Sequence, residues 1–380
     1  MPLTTFAHAI AAAALAFTAQ ATAQTGAQTD APDPDPYADA RAVMAGVNEI
    51  VTPNGIQELM TVELGGMEQW ISIRGTDRDN PVLLFLHGGP GAPEMGVGWA
   101  FQRPWEDYFT VVQWDQRGGG KTFRHNGEAA SREGLSRERI VADTVELMAW
   151  LRAHLGQERI IVVGHSWGTV AGFQAAMARP DWVHAYVGIG QIVDMDENER
   201  RSHELTLAAA RADGNAEAIA DLTAIAPYPG DTPVTFERIG AEREWAVHYG
   251  GLAAYRDNAG FYYRARRLAP EYEQADREAV NPGGIMSVTA LLDDLMAVRQ
   301  GDVEQVDFPV VFFAGRHDLT TPSDLVEAWY RRLEAPSKEL VWFEHSAHLS
   351  PIEEPGRTLV ALVEHVLPLT QNGEAGDAAR

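Results

Sequence analysis

One serine set between two glycines constrains this chain more than any other feature. Gly164, Ser166 and Gly168 lie in "RIIVVGHSWGTVAGFQAAM", which has the pattern of a short buried strand, a tight turn and a helix of small residues. A nucleophile on a sharp strand-to-helix turn needs small residues two positions before and after it, because neighbouring backbone comes too close for a β-carbon. The first N–H groups of the following helix favour negative charge at the turn. The pattern therefore predicts that Ser166 is a nucleophile.

Short apolar runs recur along the chain. The continuous hydrophobicity of a buried strand occurs in "PVLLFLHGGPG", "FTVVQWDQRGGGKT", "HAYVGIG", "PVVFFAGRHD" and "KELVWFEH". Helix-forming stretches lie between many of these runs, and Ser136 is placed to cap one of the helices. Strands that alternate with such helices form βαβ units on a mostly parallel sheet. We therefore predict an α/β fold, with a hairpin around the Gly-Gly turn of "LMTVELGGMEQWISI" near its start.

Residues 191–300 break this alternation, because they contain helix-like segments and no convincing buried strand. We interpret them as a helical insertion over the carboxyl ends of the strands, where open α/β sheets bind ligands. The predicted organisation is a signal peptide (1–23), a linker (24–40), a core in two parts (41–190 and 301–370) and a helical cap (191–300).

A serine hydroxyl is a weak nucleophile and needs a general base, which an acid orients in turn. On a sheet of this kind the chain order is serine, then Asp or Glu, then His. Asp318 follows the strand "PVVFFAGRHD", and His348 follows the strand "ELVWF" within "FEHSAHLSPIEEP". Both lie in strand-to-helix loops, on the same edge of the sheet as Ser166. We predict a catalytic triad of Ser166, His348 and Asp318.

Other residues compete for two of these roles. Asp194, after "YVGIGQIV", is an alternative acid from the preceding strand. His345 is nearer the strand end than His348, and we interpret it as a packing or hydrogen-bonding residue. His165 adjoins the serine, but adjacent side chains diverge at such a turn, so we assign it a structural role.

The negative oxygen that develops during acyl transfer needs N–H donors. The residue after the nucleophile, Trp167, is expected to supply one of them. The second is expected from the loop "HGGPG" after the first central strand. Because glycine lets the backbone approach a substrate closely, we predict Gly89 as this donor, with Gly88 as the second choice.

Composition disfavours several other classes of function. The formal net charge is −24, from 54 Asp and Glu against 30 Lys and Arg, and such a surface repels the phosphates of nucleic acid. The absence of cysteine excludes thiolate catalysis and cysteine-ligated zinc. "RGGGKT" lacks the first glycine of a phosphate-binding loop, and His345 and His348 have no companion motif for a metal. We expect no cofactor, no metal and no nucleic-acid partner.

The first residues carry the pattern of an export signal. A short polar start is followed by an apolar run from Ala9 to Phe17 and by the small-x-small site "ATA" at 21–23. The apolar run is shorter than the about 18 residues expected of a membrane-spanning helix. We predict cleavage before Gln24, a mature chain without a membrane span, and a periplasmic or secreted location.

Five segments taken together resemble those of one enzyme family. In order and spacing, the prolyl aminopeptidase (proline iminopeptidase) family of α/β-hydrolases has motifs similar to "HGGPG", "WDQRGGGKT", "GHSWGT", "GRHDLTTP" and "SAHLSPIEEP". The resemblance covers the core, residues 55–190 and 300–368. It implies an α/β-hydrolase fold with a mostly parallel central sheet, helices on both faces and an inserted helical cap domain. It also implies that Asp115 and Arg117 form a buried ion pair that holds their loop.

For activity, the resemblance implies a Ser-His-Asp peptidase or esterase whose substrate is a small peptide or ester. Peptidases of this family bind the free amine of the substrate with glutamates of the cap. Glu204, Glu242 and Glu244 are candidates here, although none of them matches a motif. The main hypothesis is an aminopeptidase that releases proline or another N-terminal residue. An esterase or lactonase on the same fold and a non-catalytic binding protein are the alternatives.

Overall fold

The computed structural model describes residues 35–371. The predicted signal peptide and its cleavage site before Gln24 lie outside these residues, as does most of the predicted linker. Within the described range, no helix combines the length and the apolar character needed to cross a membrane. The described chain opens with a helix, α1 (Ala38–Val47), which overlaps the end of the predicted linker and buries none of its residues.

Eight strands form one sheet. In chain order they are β1 (Ile56–Leu64), β2 (Met67–Gly75), β3 (Val82–Leu86), β4 (Thr110–Trp114), β5 (Ile160–His165), β6 (Val183–Ile189), β7 (Val310–Gly315) and β8 (Lys338–Phe343). Their order in the sheet is β1-β2-β4-β3-β5-β6-β7-β8. The hairpin of β1 and β2 is antiparallel, as is the pairing of β2 with β4. From β4 to β8 every neighbouring pair is parallel, which confirms the mostly parallel sheet.

Alternating side chains divide the core between the two faces of the sheet. In β3, Leu84 and Leu86 pack on one face, whereas Leu83 and Phe85 pack on the other. All four side chains are fully buried. Because both faces are apolar, both must be covered by other elements, and this explains the unbroken hydrophobic runs in the sequence.

Helices cover both faces, as predicted. After α1 the helices are α2 (Gly120–Arg132), α3 (Arg137–Leu155), α4 (Trp167–Ala178), α5 (Met195–Asp213), α6 (Ala216–Ala224), α7 (Phe236–His248), α8 (Gly260–Ala265), α9 (Gln274–Met296), α10 (Ser323–Arg332), α11 (Ser350–Glu353), α12 (Pro355–Ala361) and α13 (Leu367–Gln371). On one face, α3, α4 and α10 pack against the sheet. The other face is covered by the segment 95–109 and by the chain from α12 to α13.

The start of α3 agrees with its predicted cap. The Ser136 hydroxyl accepts a hydrogen bond from the Arg139 N–H at 3.1 Å, which is the usual role of serine at a helix N-cap. The helix ends at Gly156, whose φ of +68° suits glycine. Between these ends Leu147 and Leu151 are buried against the sheet.

The segment between β6 and β7 forms α5 to α9 and adds no strand to the sheet. We call residues 191–300 the cap. Its long helix α9 packs Leu291 and Leu295 against Trp167 at the start of α4. A buried ion pair of 2.7 Å, between Lys121 Nζ and Asp276 Oδ2, joins α9 to α2. Because Trp167 directly follows the candidate serine, these contacts place the cap beside the serine turn.

The prediction of an ion pair between Asp115 and Arg117 is wrong, because the two residues have different partners. Arg117 Nε lies 3.1 Å from Asp143 Oδ2 in α3, and its guanidinium also donates to carbonyl oxygens at the β1–β2 turn. Asp115 instead accepts hydrogen bonds from the Lys121 N–H and the Tyr272 hydroxyl. Burial raises the pKa of Asp115 to about 7 in spite of these donors. Each residue therefore holds the loop through a different neighbour, one in the core and one in the cap.

We expect Gly315→Ala to destabilise the fold. A β-carbon at this last residue of β7 would lie 1.9 Å from the carbonyl oxygen of Ala347, so the backbone of the His348 loop would have to move. Overpacking of this kind costs about 1–3 kcal/mol, which urea unfolding would measure. The control is Gly356→Ala in α12, where a β-carbon meets nothing within 4 Å and alanine favours the helix. Unchanged stability of Gly315→Ala would contradict the close contact.

Candidate active site

Ser166 lies on a strained turn between β5 and α4. Its backbone has φ +54° and ψ −121°, a conformation that residues other than glycine rarely adopt. A β-carbon on Gly164 would lie 2.5 Å from the Gly168 carbonyl oxygen, and one on Gly168 would lie 2.0 Å from the Leu86 carbonyl oxygen. Both glycines are therefore required by close backbone packing. The half-buried Ser166 lines a cavity.

Asp318 and His348 form a buried hydrogen bond of 2.8 Å, between Oδ2 and Nδ1. The Thr321 hydroxyl donates to the same carboxylate oxygen at 2.8 Å. The Oδ1 atom accepts the N–H groups of Thr320 and Thr321 at 2.8 and 2.7 Å. Such a set of donors suits an ionised carboxylate, which only accepts hydrogen bonds. The hydrogen bond to Asp318 fixes the orientation of the imidazole through Nδ1. The Nε2 atom takes no part in this hydrogen bond.

The loop that carries His348 is held on both sides. The Oε2 atom of Glu353 accepts the N–H groups of Ala347 at 3.0 Å and of Leu349 at 3.1 Å, while its Oε1 atom accepts an N–H of the cap at 2.6 Å. Burial raises the pKa of Glu353, against the lowering effect of these N–H donors. The His348 N–H donates to the Leu252 carbonyl oxygen in the cap at 3.2 Å. The histidine backbone is thus fixed by both the cap and α11.

A second buried pair adjoins the serine turn. The Nδ1 atom of His165 is hydrogen-bonded to the Glu94 carboxylate, and both side chains are buried. The Nε2 atom of His165 lies 2.9 Å from the His348 carbonyl oxygen. Because an acceptor faces each ring nitrogen, the imidazole needs two protons to satisfy both. Burial opposes that charge, but the Glu94 carboxylate outweighs burial and raises the pKa of His165.

These contacts bring the serine turn and the histidine loop side by side. The ring centroids of His165 and His348 are 4.8 Å apart. The Ser166 N–H donates to the Ile189 carbonyl oxygen at 2.9 Å, and a β-carbon on the next residue, Gly190, would lie 2.8 Å from Nδ1 of His348. The His348 ring contacts Asp318 and Thr321, and within residues 35–371 it makes no hydrogen bond to Ser166.

The alternative acid and base have other partners. The Asp194 carboxylate caps α5 by accepting the Glu197 N–H at 3.0 Å, and it also pairs with Arg299. His345 is exposed, with Nδ1 3.5 Å from the Tyr255 hydroxyl. Among the described residues, no group of three or more His, Asp or Glu side chains is arranged to hold a metal ion.

The predicted N–H donors lie around the serine. A β-carbon on Gly88 would be 2.9 Å from Ser166 Cβ and 3.5 Å from its Oγ. Gly89 lines the same cavity as Ser166 and has a φ of +116°, which favours glycine. Trp167 is the first residue of α4, so its N–H has no acceptor within the helix. Gly88 and Trp167 therefore flank Ser166, and Gly89 shares its cavity.

Ser166 and Gly89 belong to the wall of a cavity of about 1550 Å³ between the core and the cap. This volume is larger than the about 300–1,000 Å³ of typical small-molecule sites. Thr321 lines the cavity on the side of Asp318. The cap contributes apolar, aromatic and charged side chains, among them Met195, Leu295, Val288, Tyr263, Glu244 and Arg266.

The three cap glutamates selected from the sequence lie in different surroundings. Glu204 is on the surface, where neighbouring arginines of α5 pair with it. Glu242 is fully buried and paired with Arg243. Glu244 lines the cavity but is solvent-exposed, and partial burial together with the charges of two nearby carboxylates raises its pKa. Of the three, Glu244 alone is in the cavity wall.

Sequence reasoning missed three residues that support the site, Glu94, Glu353 and Thr321. Glu94 follows "HGGPG", and Glu353 lies in "SPIEEP". For Glu94 and Glu353, the signal was an acidic residue next to a glycine-rich or apolar motif at a strand end. Buried carboxylates need hydrogen-bond donors nearby, and such motifs offer backbone N–H groups. Thr321 lies three residues after Asp318, a spacing at which a hydroxyl can reach a turn carboxylate.

We predict that Glu94→Gln destabilises the fold most strongly between pH 4.5 and 6.5. Removing one partner of a buried charged pair costs about 3–5 kcal/mol. Burial alone would raise the pKa of Glu94, but the charge of His165 holds it below the ordinary 4.5, so this contribution is lost at acid pH. The pKa of His165 is raised above the ordinary 6.5, so its contribution is lost at alkaline pH. Urea unfolding of both proteins across this range measures the difference.

The matched control is Glu128→Gln. Glu128 pairs with Arg132 on the surface at 2.9 Å, where an ion pair contributes about 0–1 kcal/mol. Equal losses of stability in Glu94→Gln and Glu128→Gln would contradict a charged pair next to the serine turn.

Comparison with known proteins identifies the family and relatives of this chain. The family model of the α/β-hydrolase fold matches residues 81–355. A probable aminopeptidase of Bacillus subtilis (strain 168), YbaC, is 30% identical over 308 residues, which are 80% of this chain and 94% of that protein. The proline iminopeptidase of Neisseria meningitidis serogroup B (strain ATCC BAA-335 / MC58) is 27% identical over 316 residues, which are 76% of this chain and 90% of that protein.

A solved structure, the proline iminopeptidase of Mycobacterium smegmatis, has the same fold. Its TM-score to this chain is 0.57 at 20% identity, and the match covers 84% of this chain and 100% of that one. The order of the strands, the family match and the relatives lead to one assignment. This chain belongs to the proline iminopeptidase-like family of α/β-hydrolases.

Proposed function

We propose that this protein is a serine hydrolase. The observation that carries the proposal is the 2.8 Å hydrogen bond between Asp318 and His348, in a loop fixed beside the strained Ser166 turn. His348 accepts the Ser166 proton as Oγ attacks a carbonyl carbon, and then gives that proton to the leaving group. Water attacks the resulting acyl-enzyme with His348 again as the base, and the acid product is released. Asp318 orients the imidazole and stabilises its charged form.

The hydrogen bond between Ser166 and His348 is proposed to form when substrate binds. Catalytic hydrogen bonds are often long or poorly aligned without substrate and tighten in the complex. The adjacent positions of the serine turn and the histidine loop support this step, because the His165 and His348 ring centroids are 4.8 Å apart and Ser166 directly follows His165.

Two backbone groups are proposed to stabilise the oxyanion of each tetrahedral intermediate. They are the N–H of Trp167 and the N–H of Gly89, with Gly88 as the alternative to Gly89. The contact of Gly88 with Ser166 and the position of Gly89 in the cavity wall support this assignment. Removing one such donor typically lowers kcat by about 10²–10³-fold.

Among substrates, we propose short peptides with a free N-terminus. The relatives of Bacillus subtilis and Neisseria meningitidis are named as an aminopeptidase and a proline iminopeptidase, which supports this class. A free α-ammonium group needs a carboxylate partner in the cavity. Glu244 is in the cavity wall and forms no ion pair within residues 35–371, so we assign it this role.

An esterase is the second candidate, because two of the three cap glutamates are already neutralised by arginine. Glu204 pairs with Arg200, and Glu242 pairs with Arg243. A cap with fewer available carboxylates binds an amine less strongly, whereas an uncharged ester does not need one. The catalytic residues would be the same in both cases.

A substrate panel separates the two candidates. It contains prolyl and other aminoacyl amides of a chromogenic amine, together with short p-nitrophenyl esters. Turnover of the aminoacyl amides is the expected result, and turnover of the esters alone would reject the peptidase in favour of the esterase. Ser166→Ala should lose activity on every substrate. Wild-type rates in Ser166→Ala would reject the serine mechanism altogether.

Asp318→Asn is expected to lower kcat by about 10⁴-fold. The amide cannot stabilise a charged imidazole and favours the wrong tautomer of His348. The control is Asp194→Asn, which removes the same charge from the competing acid while asparagine still caps α5. Steady-state kinetics on the best substrate of the panel measure both variants. A large loss of kcat in Asp194→Asn with little loss of kcat in Asp318→Asn would make Asp194, and not Asp318, the acid of the triad.

A further inference from the structure

The cavity is richer in arginine than the composition of the chain suggests. Among the described residues, five arginines and four carboxylates line it. In the whole chain, by contrast, 30 Lys and Arg stand against 54 Asp and Glu. The arginines of the wall are Arg243, Arg264, Arg266, Arg267 and Arg277. Positive side chains are therefore concentrated where the substrate is expected to bind.

Arg266 differs from Arg243 and Arg277 in having no anionic partner among the described residues. Arg243 pairs with Glu199 and Glu242, and Arg277 pairs with Asp35 at 3.0 Å. Arg266 is 6% exposed, yet it forms no ion pair and no hydrogen bond within residues 35–371. Its buried Nε atom has no acceptor.

Aromatic and apolar contacts hold Arg266 instead. The guanidinium carbon lies 5.3 Å from the ring centroid of Tyr262 and 5.8 Å from that of Tyr263. Its Cγ atom would lie 3.3 Å from a β-carbon on Gly96. Aromatic faces position a cation without neutralising it, and an unneutralised buried charge is costly. These contacts therefore build a site that an anionic ligand would complete.

The site lies near the loop that is proposed to hold the oxyanion. Gly96 belongs to the 3-10 helix 95–100, which follows "HGGPG". Arg266 also shares the cavity wall with Ser166 and Gly89. Burial is the main cause of the lowered pKa of His87, which is about 4, and the charge of Arg266 adds to this lowering. Arg266 is thus close enough to His87, in the "HGGPG" loop, to act on it electrostatically.

We propose that Arg266 binds a carboxylate of the substrate. The proposal rests on the proposed hydrolase function and specifies its substrates as short peptides with a free C-terminal carboxylate. A guanidinium suits this group because it can form two parallel N–H···O bonds with a carboxylate. With the scissile carbonyl at Ser166 and the ammonium group at Glu244, the carboxylate belongs to the leaving group. The cavity then recognises a short peptide by both of its charged ends.

Binding to the Ser166→Ala protein tests this proposal without turnover. Titration calorimetry compares prolyl-phenylalanine as the free acid with the same dipeptide as its C-terminal amide, so that one charge is the only difference. The free acid is expected to bind at least about tenfold more tightly. Equal affinities, or no measurable binding of the acid, would overturn the proposal.

Variants at position 266 identify the residue responsible. Arg266→Gln in the Ser166→Ala background should reduce the acid-to-amide preference to about one, and Arg266→Lys should keep part of it. Arg267→Gln is the control, because it removes an adjacent cavity arginine that donates to the Tyr37 hydroxyl. Full preference in Arg266→Gln would overturn the assignment. If circular dichroism shows that Arg266→Gln does not fold, the proposal is tested instead by the acid-to-amide preference of Arg266→Lys and of the protein with Arg266 intact.

Failure of the proposed hydrolase function has a different signature. In that case the wild type cleaves neither the dipeptide acid, nor the aminoacyl amides, nor the p-nitrophenyl esters. The binding preference for the free acid is measured without cleavage, so it supports or overturns the role of Arg266 independently.

Discussion

The candidate site depends on the hydrogen-bonded contact between the serine turn and the histidine loop. His165 lies next to Ser166 in sequence, and its ring donates to the His348 carbonyl oxygen at 2.9 Å. The strained conformation of Ser166 costs about 1–3 kcal/mol, so its surroundings must hold it in place. Close packing of Gly168 on β3 and the Ser166 N–H bond to β6 provide that restraint. His165, paired with Glu94, then ties the strained turn to the loop that carries His348.

The cap takes part in the site in two ways. It forms much of the cavity wall, and it holds the backbone of the proposed base through the Leu252 carbonyl oxygen, which accepts the His348 N–H. The ion pair of Lys121 with Asp276 and the packing of α9 on Trp167 hold the cap on the core. Substrate recognition and alignment of the proposed base are therefore coupled through one structural unit. Changes in the cap are expected to alter kcat as well as KM.

Local patterns predicted the sheet and the serine turn, because each depends on residues close together in sequence. Asp318 and His348 were selected by their positions after two strand ends, and the structure joins them by a hydrogen bond. The apolar runs fix the strands, and the glycines around Ser166 reflect packing within one strand-turn-helix unit. The pair of Glu94 with His165 spans 71 positions, and no local pattern indicates which acid approaches which histidine. The prediction of an Asp115–Arg117 pair failed for the same reason, since Arg117, in the loop after β4, bonds to Asp143 of α3. In the cap, the surroundings of Glu204, Glu242 and Glu244 follow from tertiary contacts alone.

The central claim is that Ser166 is the nucleophile, oriented by its strained turn and activated by His348. Treatment of the wild type with a fluorophosphonate, followed by peptide mass spectrometry, tests it most directly. Such reagents form a stable covalent bond with a serine that has an adjacent base and an oxyanion site. We expect one adduct, on Ser166, and a strongly reduced rate of labelling in the Asp318→Asn variant. An unlabelled Ser166, or an adduct on another residue of the folded protein, would contradict the claim.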